Sequence, residues 1–255
     1  MSFRPRIVGF VCNWSLPPEV GAPSGARIQG YPRIRIVRVA CVGRIDPVIM
    51  LETFAQGADG VLIIGCNPPD CHYSEGNLQV DRAVAITMGL FRVIGLESER
   101  IMTLWFSDRE KRDFGHSVKE FSEQVEKLGP SPLNDEKRKP EIMVNMLAAK
   151  GAASDFRLRA WLGREKELIE NANVYGEKTE PKEFGDMLDD AIETEFIRHK
   201  ILLLTKRPLS VKDLSNNLNM KPSVVFRHIL NLRRKGMLTL AQVEETTPMY
   251  KAVEA

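Results

Sequence analysis

Short apolar runs alternate with longer stretches of helical spacing through the first half of the chain. RIVGFVCNW (6–14), IRIVRVACVG (34–43), GVLIIGC (60–66) and RIMTLWFS (100–107) are rich in β-branched and aromatic residues and predict four strands. Between them, PVIMLETFAQGA (47–58) and LQVDRAVAITMGLFRVIGL (78–96) repeat their apolar residues at helical spacing. Pro47 suits a first-turn position and Asp46 an N-cap. A further helix is expected to start at a Ser107 or Asp108 cap and to end near KLGPSP (127–132). Strands alternating with crossover helices predict an α/β fold, a mostly parallel sheet with helices on both faces. The Pro- and Gly-rich SLPPEVGAPSGARIQGYP (15–32) between the first two strands is expected as a long loop or a short helix.

After the charged GPSPLNDEKRKPE (129–141) the pattern turns helical, with a break expected near Gly151 and one or two helices over 181–205. A compact set follows: SVKDLSNNLNM (210–220), a turn at Lys221-Pro222, SVVFRHILNLRRKGML (223–238), and a hairpin in LTLAQVEETTPMYKAV (238–253). Helix, helix, turn, helix and hairpin is the order of a small winged helix-turn-helix domain. The expected organisation is therefore an α/β domain over 1–132, a helical linker region over 133–193 and a winged-helix-like domain over 194–255.

Charge follows the same division. Residues 1–134 carry 15 basic and 15 acidic side chains, residues 135–197 carry 10 and 15, and residues 198–238 carry 10 and 1. With 43% hydrophobic and 27% charged residues, the chain has the composition of an ordinary globular protein. No apolar run approaches the ~20 residues of a membrane span, and MSFRPRIVGFVCNWS lacks a small-residue cleavage site, so a cytoplasmic protein is expected.

In a reducing compartment four cysteines are not a disulfide framework; they are buried fillers, or ligands and redox groups. Their positions favour ligands. Cys12, Cys41 and Cys66 fall at the ends of the first three predicted strands, and Cys71 follows Cys66 in one loop. Ligands of open α/β sheets bind outside the carboxyl ends of the strands, where parallel strands would bring these thiols together. The Cys66-x4-Cys71 spacing fits zinc and [2Fe–2S] alike. No G-x-G-x-x-G follows the first strand, and no Ser-His-Asp, H-E-x-x-H or Walker pattern is present, so neither a dinucleotide site nor a hydrolytic centre is expected.

VCNWS, YPRIRIVRVACVGRIDPVIMLETFAQGADGVLIIGCNPPDCHYSEGN and ERIMTLWFS together resemble the methyl-viologen-reducing hydrogenase delta subunit family, the iron–sulfur subunits associated with heterodisulfide reductase complexes. The resemblance covers about residues 6–130. It implies a flavodoxin-like domain holding a [2Fe–2S] cluster on Cys12, Cys41, Cys66 and Cys71. It also implies a cytoplasmic hetero-oligomeric complex, in which electrons pass between a hydrogenase, dehydrogenase or reductase subunit and a heterodisulfide-reductase A-type flavoprotein. The family's first motif usually reads CCNWCSY; this chain has Val11 and Ser15 where two of those cysteines would stand. Four cysteines remain, the number such a cluster takes. Backbone N–H groups of GCNPPDC are expected to donate to the sulfurs, Pro68 and Pro69 to stiffen the loop, and His72 to be either a further donor or an exposed loop residue. Arg44 and Asp46 are expected to serve the following helix.

Arg227, Arg233, Arg234 and Lys235 lie on the proposed recognition helix, with Lys206, Arg207, Lys212 and Lys221 around it. Glu244 and Glu245 at the hairpin tip oppose a phosphate contact, and Gly236 is expected as the residue just past the helix end, where basic side chains complement the helix terminus. Protein docking is the expected role of this module and a nucleic-acid partner is not. The alternative is a redox-sensing DNA-binding regulator that joins a metal or cluster domain to a winged helix.

Overall fold

The computed structural model describes residues 3–15, 27–28, 31–68, 70–106, 114–171 and 176–253. Strands β1 (Ile7–Cys12), β2 (Arg27–Ile28), β3 (Tyr31–Val39), β4 (Gly60–Cys66) and β5 (Ile101–Phe106) form one sheet in the order β2-β3-β1-β4-β5. β3, β1, β4 and β5 are parallel, and the two-residue β2 runs antiparallel on the edge. β3 begins three residues before the predicted strand, and β4 occupies Gly60–Cys66 as predicted. All seven β4 residues are buried. Val61 and Ile63 face one hydrophobic cluster and Leu62 and Ile64 the other, as a strand covered on both faces requires.

Helices α1 (Pro47–Ala55) and α2 (Gly76–Ile94) cover the first face, with Phe54 and Phe91 edge to face at 4.9 Å between ring centroids. Helix α3 (Phe114–Leu128) covers the second through Val118, Phe121 and Val125. Asp46 caps α1 as expected, its carboxylate accepting from the Val48 and Ile49 N–H groups. The Ser107 and Asp108 caps expected for α3, and residues 16–26 of the Pro- and Gly-rich stretch, lie outside the described residues.

The amino end of the sheet is closed by polar groups. Arg100, fully buried, donates to Glu97 Oε2 (2.7 Å) and to the carbonyls of Asp59 (3.1 Å), Gly129 (3.0 Å) and Pro130 (3.4 Å). The buried Asp59 carboxylate accepts from the Arg6 N–H, the Ser131 N–H and Asn134 Nδ2.

The described part of residues 133–193, expected as a helical linker, is mostly helical and packed. Helices α4 (Lys139–Ser154), α5 (Phe156–Glu170) and α6 (Pro181–Leu204) lie beyond α1 and α2, and Met146, Ala149, Ala152, Ala191 and Ile192 join the same buried cluster. The break expected near Gly151 falls instead at Asp155, which caps α5 through the Arg157 N–H. Gly151 is small for packing, since a Cβ there would meet the His199 ring at 2.5 Å. The stretch 181–205 forms one helix rather than two, and α6 runs across position 193.

The remaining elements are β6 (Leu209–Ser210), α7 (Val211–Leu218), α8 (Pro222–Arg234), β7 (Leu238–Glu244) and β8 (Thr247–Ala252). The three strands form an antiparallel sheet in the order β6-β8-β7. With the end of α6 they enclose Ile201, Leu214, Val225, Ile229, Leu232, Leu238 and Tyr250. Gly236, one residue past the α8 cap, has φ 72°, the left-handed conformation expected there. Among the described residues no helix is long and apolar enough to cross a membrane.

Candidate functional site

The parallel strands end level with one another. Cys12 pairs in register with Val39, so Cys41 stands two residues beyond the end of β3, and Cys66 closes β4 opposite Phe106. The chain passes from β1 to β3 on one side and then to β4 on the other, so the strand order reverses between β1 and β4. A crevice at this switch point is where α/β sheets place ligands. Cys12 and Cys66 flank it, their sulfurs 3.7 Å apart.

Cys41 and Cys71 complete the group on one glycine. A Cβ on Gly76, at the start of α2, would overlap the Cys41 sulfur and stand 3.4 Å from that of Cys71. Gly43 in turn packs on the Gly76 backbone, where its own Cβ would meet the Gly76 carbonyl oxygen at 2.7 Å. Two side-chain-free positions therefore leave the room in which the two sulfurs sit. Sequence spacing makes Cys66 and Cys71 the natural pair, whereas the sulfur that approaches Cys66 at 3.7 Å is that of Cys12, from the neighbouring strand.

Cys12, Cys41 and Cys66 are buried and Cys71 is partly exposed. Burial pushes the Cys66 thiol up to about 11, against the His72 backbone N–H that donates to its sulfur, with the neighbouring Cys12 and Cys71 adding to the rise. Burial likewise raises Cys41, opposed by the Gly43 N–H that donates to its sulfur at 3.4 Å. These N–H donors come from Gly43 and His72 rather than from GCNPPDC. Ser15, where the resembling family carries a cysteine, is buried, and its hydroxyl has no hydrogen-bond partner among the described residues; its N–H donates to the Cys12 carbonyl (3.2 Å).

Among the described residues no group of three or more His, Cys, Asp or Glu is placed to hold a metal ion. Cys12 neighbours both Cys66, at 3.7 Å between sulfurs, and Cys41. A tetrahedral metal with sulfur at ~2.3 Å spaces two of its ligands by about 3.8 Å, close to the Cys12–Cys66 separation. Four cysteine thiolates are a donor set that a tetrahedral zinc ion and a [2Fe–2S] cluster both take.

Sequence reasoning missed the aromatic cover of the site. Trp14, two residues after Cys12, stacks on the His72 imidazole with ring centroids 3.4 Å apart and planes 11° from parallel. Tyr73 stands edge-on to both. Of the two expectations for His72 the exposed loop residue is the one met: it lies exposed in the turn after β4, with its ring stacked on Trp14. The W in CNWS and the HY in DCHY were the available signal, but nothing local pairs residues so far apart.

Part of the basic set on α8 is committed inside the molecule. Lys235 Nζ lies 3.9 Å from both Asp155 and the buried Glu195, and Arg233 stands over the Tyr250 ring at 6.0 Å. Glu244 and Glu245 are exposed at the hairpin turn.

Residues 7–129 match the family described as methyl-viologen-reducing hydrogenase, delta subunit. The vhc iron–sulfur subunit of the F420-non-reducing hydrogenase of Methanococcus voltae is 39% identical over 134 residues, 52% of this chain and 93% of that protein. The F420-non-reducing hydrogenase iron–sulfur subunit of Archaeoglobus profundus is 36% identical over 128 residues, 50% of this chain and 93% of the relative. The A-type subunit of the ferredoxin/F420H2-dependent CoB-CoM heterodisulfide reductase of Methanosarcina acetivorans is 36% identical over 126 residues, 49% of this chain but only 16% of that larger protein.

Proposed function

The chain belongs to the methyl-viologen-reducing hydrogenase delta-subunit family, and from that premise we propose that it is an electron-transfer subunit of a multi-subunit oxidoreductase. Its flavodoxin-like sheet would hold a [2Fe–2S] cluster on Cys12, Cys41, Cys66 and Cys71. The observation that carries this reading is the convergence of all four thiols at the switch-point end of the parallel sheet. When bound, the cluster would supply reversible one-electron transfer. The chain's own part is to exclude water around three of the sulfurs and aim the Gly43 and His72 N–H groups at two of them. It also gives up thiol protons on loading, which burial otherwise keeps in place on Cys41 and Cys66.

The relay runs between a partner hydrogenase, dehydrogenase or reductase subunit and an A-type flavoprotein of heterodisulfide reductase. Two relatives support these partners, one named as a hydrogenase subunit and one containing a homologous segment within an A-type reductase polypeptide. The C-terminal elements from the end of α6 onward are read as a winged-helix-like module that docks protein, because its basic helix is partly neutralised within the chain and its hairpin turn is acidic. The test is stopped-flow mixing of the dithionite-reduced chain with an oxidised A-type flavoprotein in high salt. Rapid bleaching of flavin absorbance with a stoichiometric complex is expected. Absence of both, with salt-sensitive duplex-DNA binding in their place, would overturn the reading.

A further inference from the structure

β1 ends on Cys12 and runs into one loop, and β4 ends on Cys66 and runs into a second loop that carries Cys71 before α2 begins. Each is a separate piece of chain, and the sulfur geometry depends on their relative register. Trp14 belongs to the first loop and His72 to the second, and their rings are stacked at 3.4 Å. The indole is not held there by burial in a core, since Trp14 is 55% exposed. Its recorded ring partners are His72 and Tyr73, both on the opposite loop. The backbone N–H of His72 donates to the Cys66 sulfur. The ring that Trp14 holds and the donor that reaches Cys66 are therefore parts of one residue.

We propose that Trp14 is a positioning residue for the sulfur set: stacked on the His72 imidazole, it clamps together the loops that follow Cys12 and Cys66 and keeps the His72 N–H on the Cys66 sulfur. This rests on the reading of the four cysteines as [2Fe–2S] ligands. An N–H aimed at a ligand sulfur stabilises the more negative, reduced state and so raises the reduction potential. Loosening the clamp lowers it.

The experiment compares the full-length chain with Trp14→Ala, Trp14→Phe, His72→Ala and the Trp14→Ala/His72→Ala pair, all reconstituted anaerobically. Iron and labile sulfide are counted, and the chains are titrated redox-potentiometrically with the reduced signal read by electron paramagnetic resonance. At the wild-type midpoint, Trp14→Ala is expected to raise the oxidised-to-reduced ratio about tenfold, equivalent to about 59 mV for one electron. Trp14→Phe keeps a stacking ring and should stay close to wild type. His72→Ala retains its N–H but loses the ring, so it should shift in the same direction, and the double variant should shift no further than either single one.

Full loading of Trp14→Ala at the wild-type potential would overturn the clamp, as would additive shifts in the double variant. Alkylation of Cys66 in the metal-free chain separates the clamp from the cluster. Trp14→Ala should react about tenfold faster because the loop opens more often, and an unchanged rate would defeat the clamp. A wild-type chain that takes up no iron would defeat the cluster reading while leaving this readout in place.

Discussion

The two ends of the parallel sheet treat buried polar groups in opposite ways. At the amino end Arg100 and Asp59 are buried with partners drawn from Glu97, Ser131, Asn134 and three carbonyls, so the charges are satisfied within the chain. At the carboxyl end four thiols meet with two recorded N–H donors and no cationic side chain bonded to any of the sulfurs in the described contacts. A satisfied network rigidifies a fold; a gathering of thiols offers ligands and gains most from a metal that takes their protons. The contrast teaches that burial alone does not mark a functional site. What marks it is a donor set that the chain gathers without completing.

The largest expected effect breaks the two ends apart. Cys66→Ala should reduce bound iron and labile sulfide to background while costing the metal-free chain only about 1 kcal/mol in denaturant unfolding. Arg100→Ala should do the reverse. By leaving three carbonyls without the guanidinium and Glu97 without its Arg100 ion pair it should cost about 1–3 kcal/mol, with iron uptake by the folded fraction unchanged. A smaller change sharpens the carboxyl end: Gly76→Ala puts a methyl group where the Cys41 sulfur stands, and should weaken cluster retention against a chelator about tenfold without altering the Arg100 network.

The smallest effects are set by pH, and the two ends should respond at opposite extremes. For Glu97, burial acts upward but is outweighed by the Arg100 guanidinium, which holds the carboxyl below its ordinary range. Its contribution is present above the unfolded glutamate value of about 4.3 and is lost as the pH falls through the lower folded value. Cys66 is raised to about 11. In the metal-free chain the unfolded state ionises first, at about pH 8.5, so stability falls as pH climbs from there toward 11. Thermal melts against pH check both, and cluster loading should abolish the alkaline loss and leave the acid one.

Much of the sheet was legible because local pattern and tertiary environment agree. VLII in β4 reads as a strand buried on both faces and is one, and Asp46-Pro47 reads as a cap and caps α1. The strand-end positions of Cys12, Cys41 and Cys66 were enough to gather the thiols. What was not legible depends on contacts between distant segments. Gly151 looks like a helix break, yet the glycine is needed because His199 of α6 packs against it. The approach of Cys66 to Cys12 rather than to its sequence neighbour comes from strand pairing, and the Trp14–His72 stack from two loops meeting across the switch point. The lysine of the basic run on α8 looked available to a partner, but Asp155 and Glu195 come from other elements to meet it.

Iron and acid-labile sulfide counts with electron paramagnetic resonance, on chain purified anaerobically, test the central claim most directly. The account predicts about two irons and two sulfides per chain and a signal that appears on one-electron reduction, all lost in Cys66→Ala. A colourless chain that holds no iron after reconstitution, or that keeps its cluster when Cys66 is replaced, would contradict it.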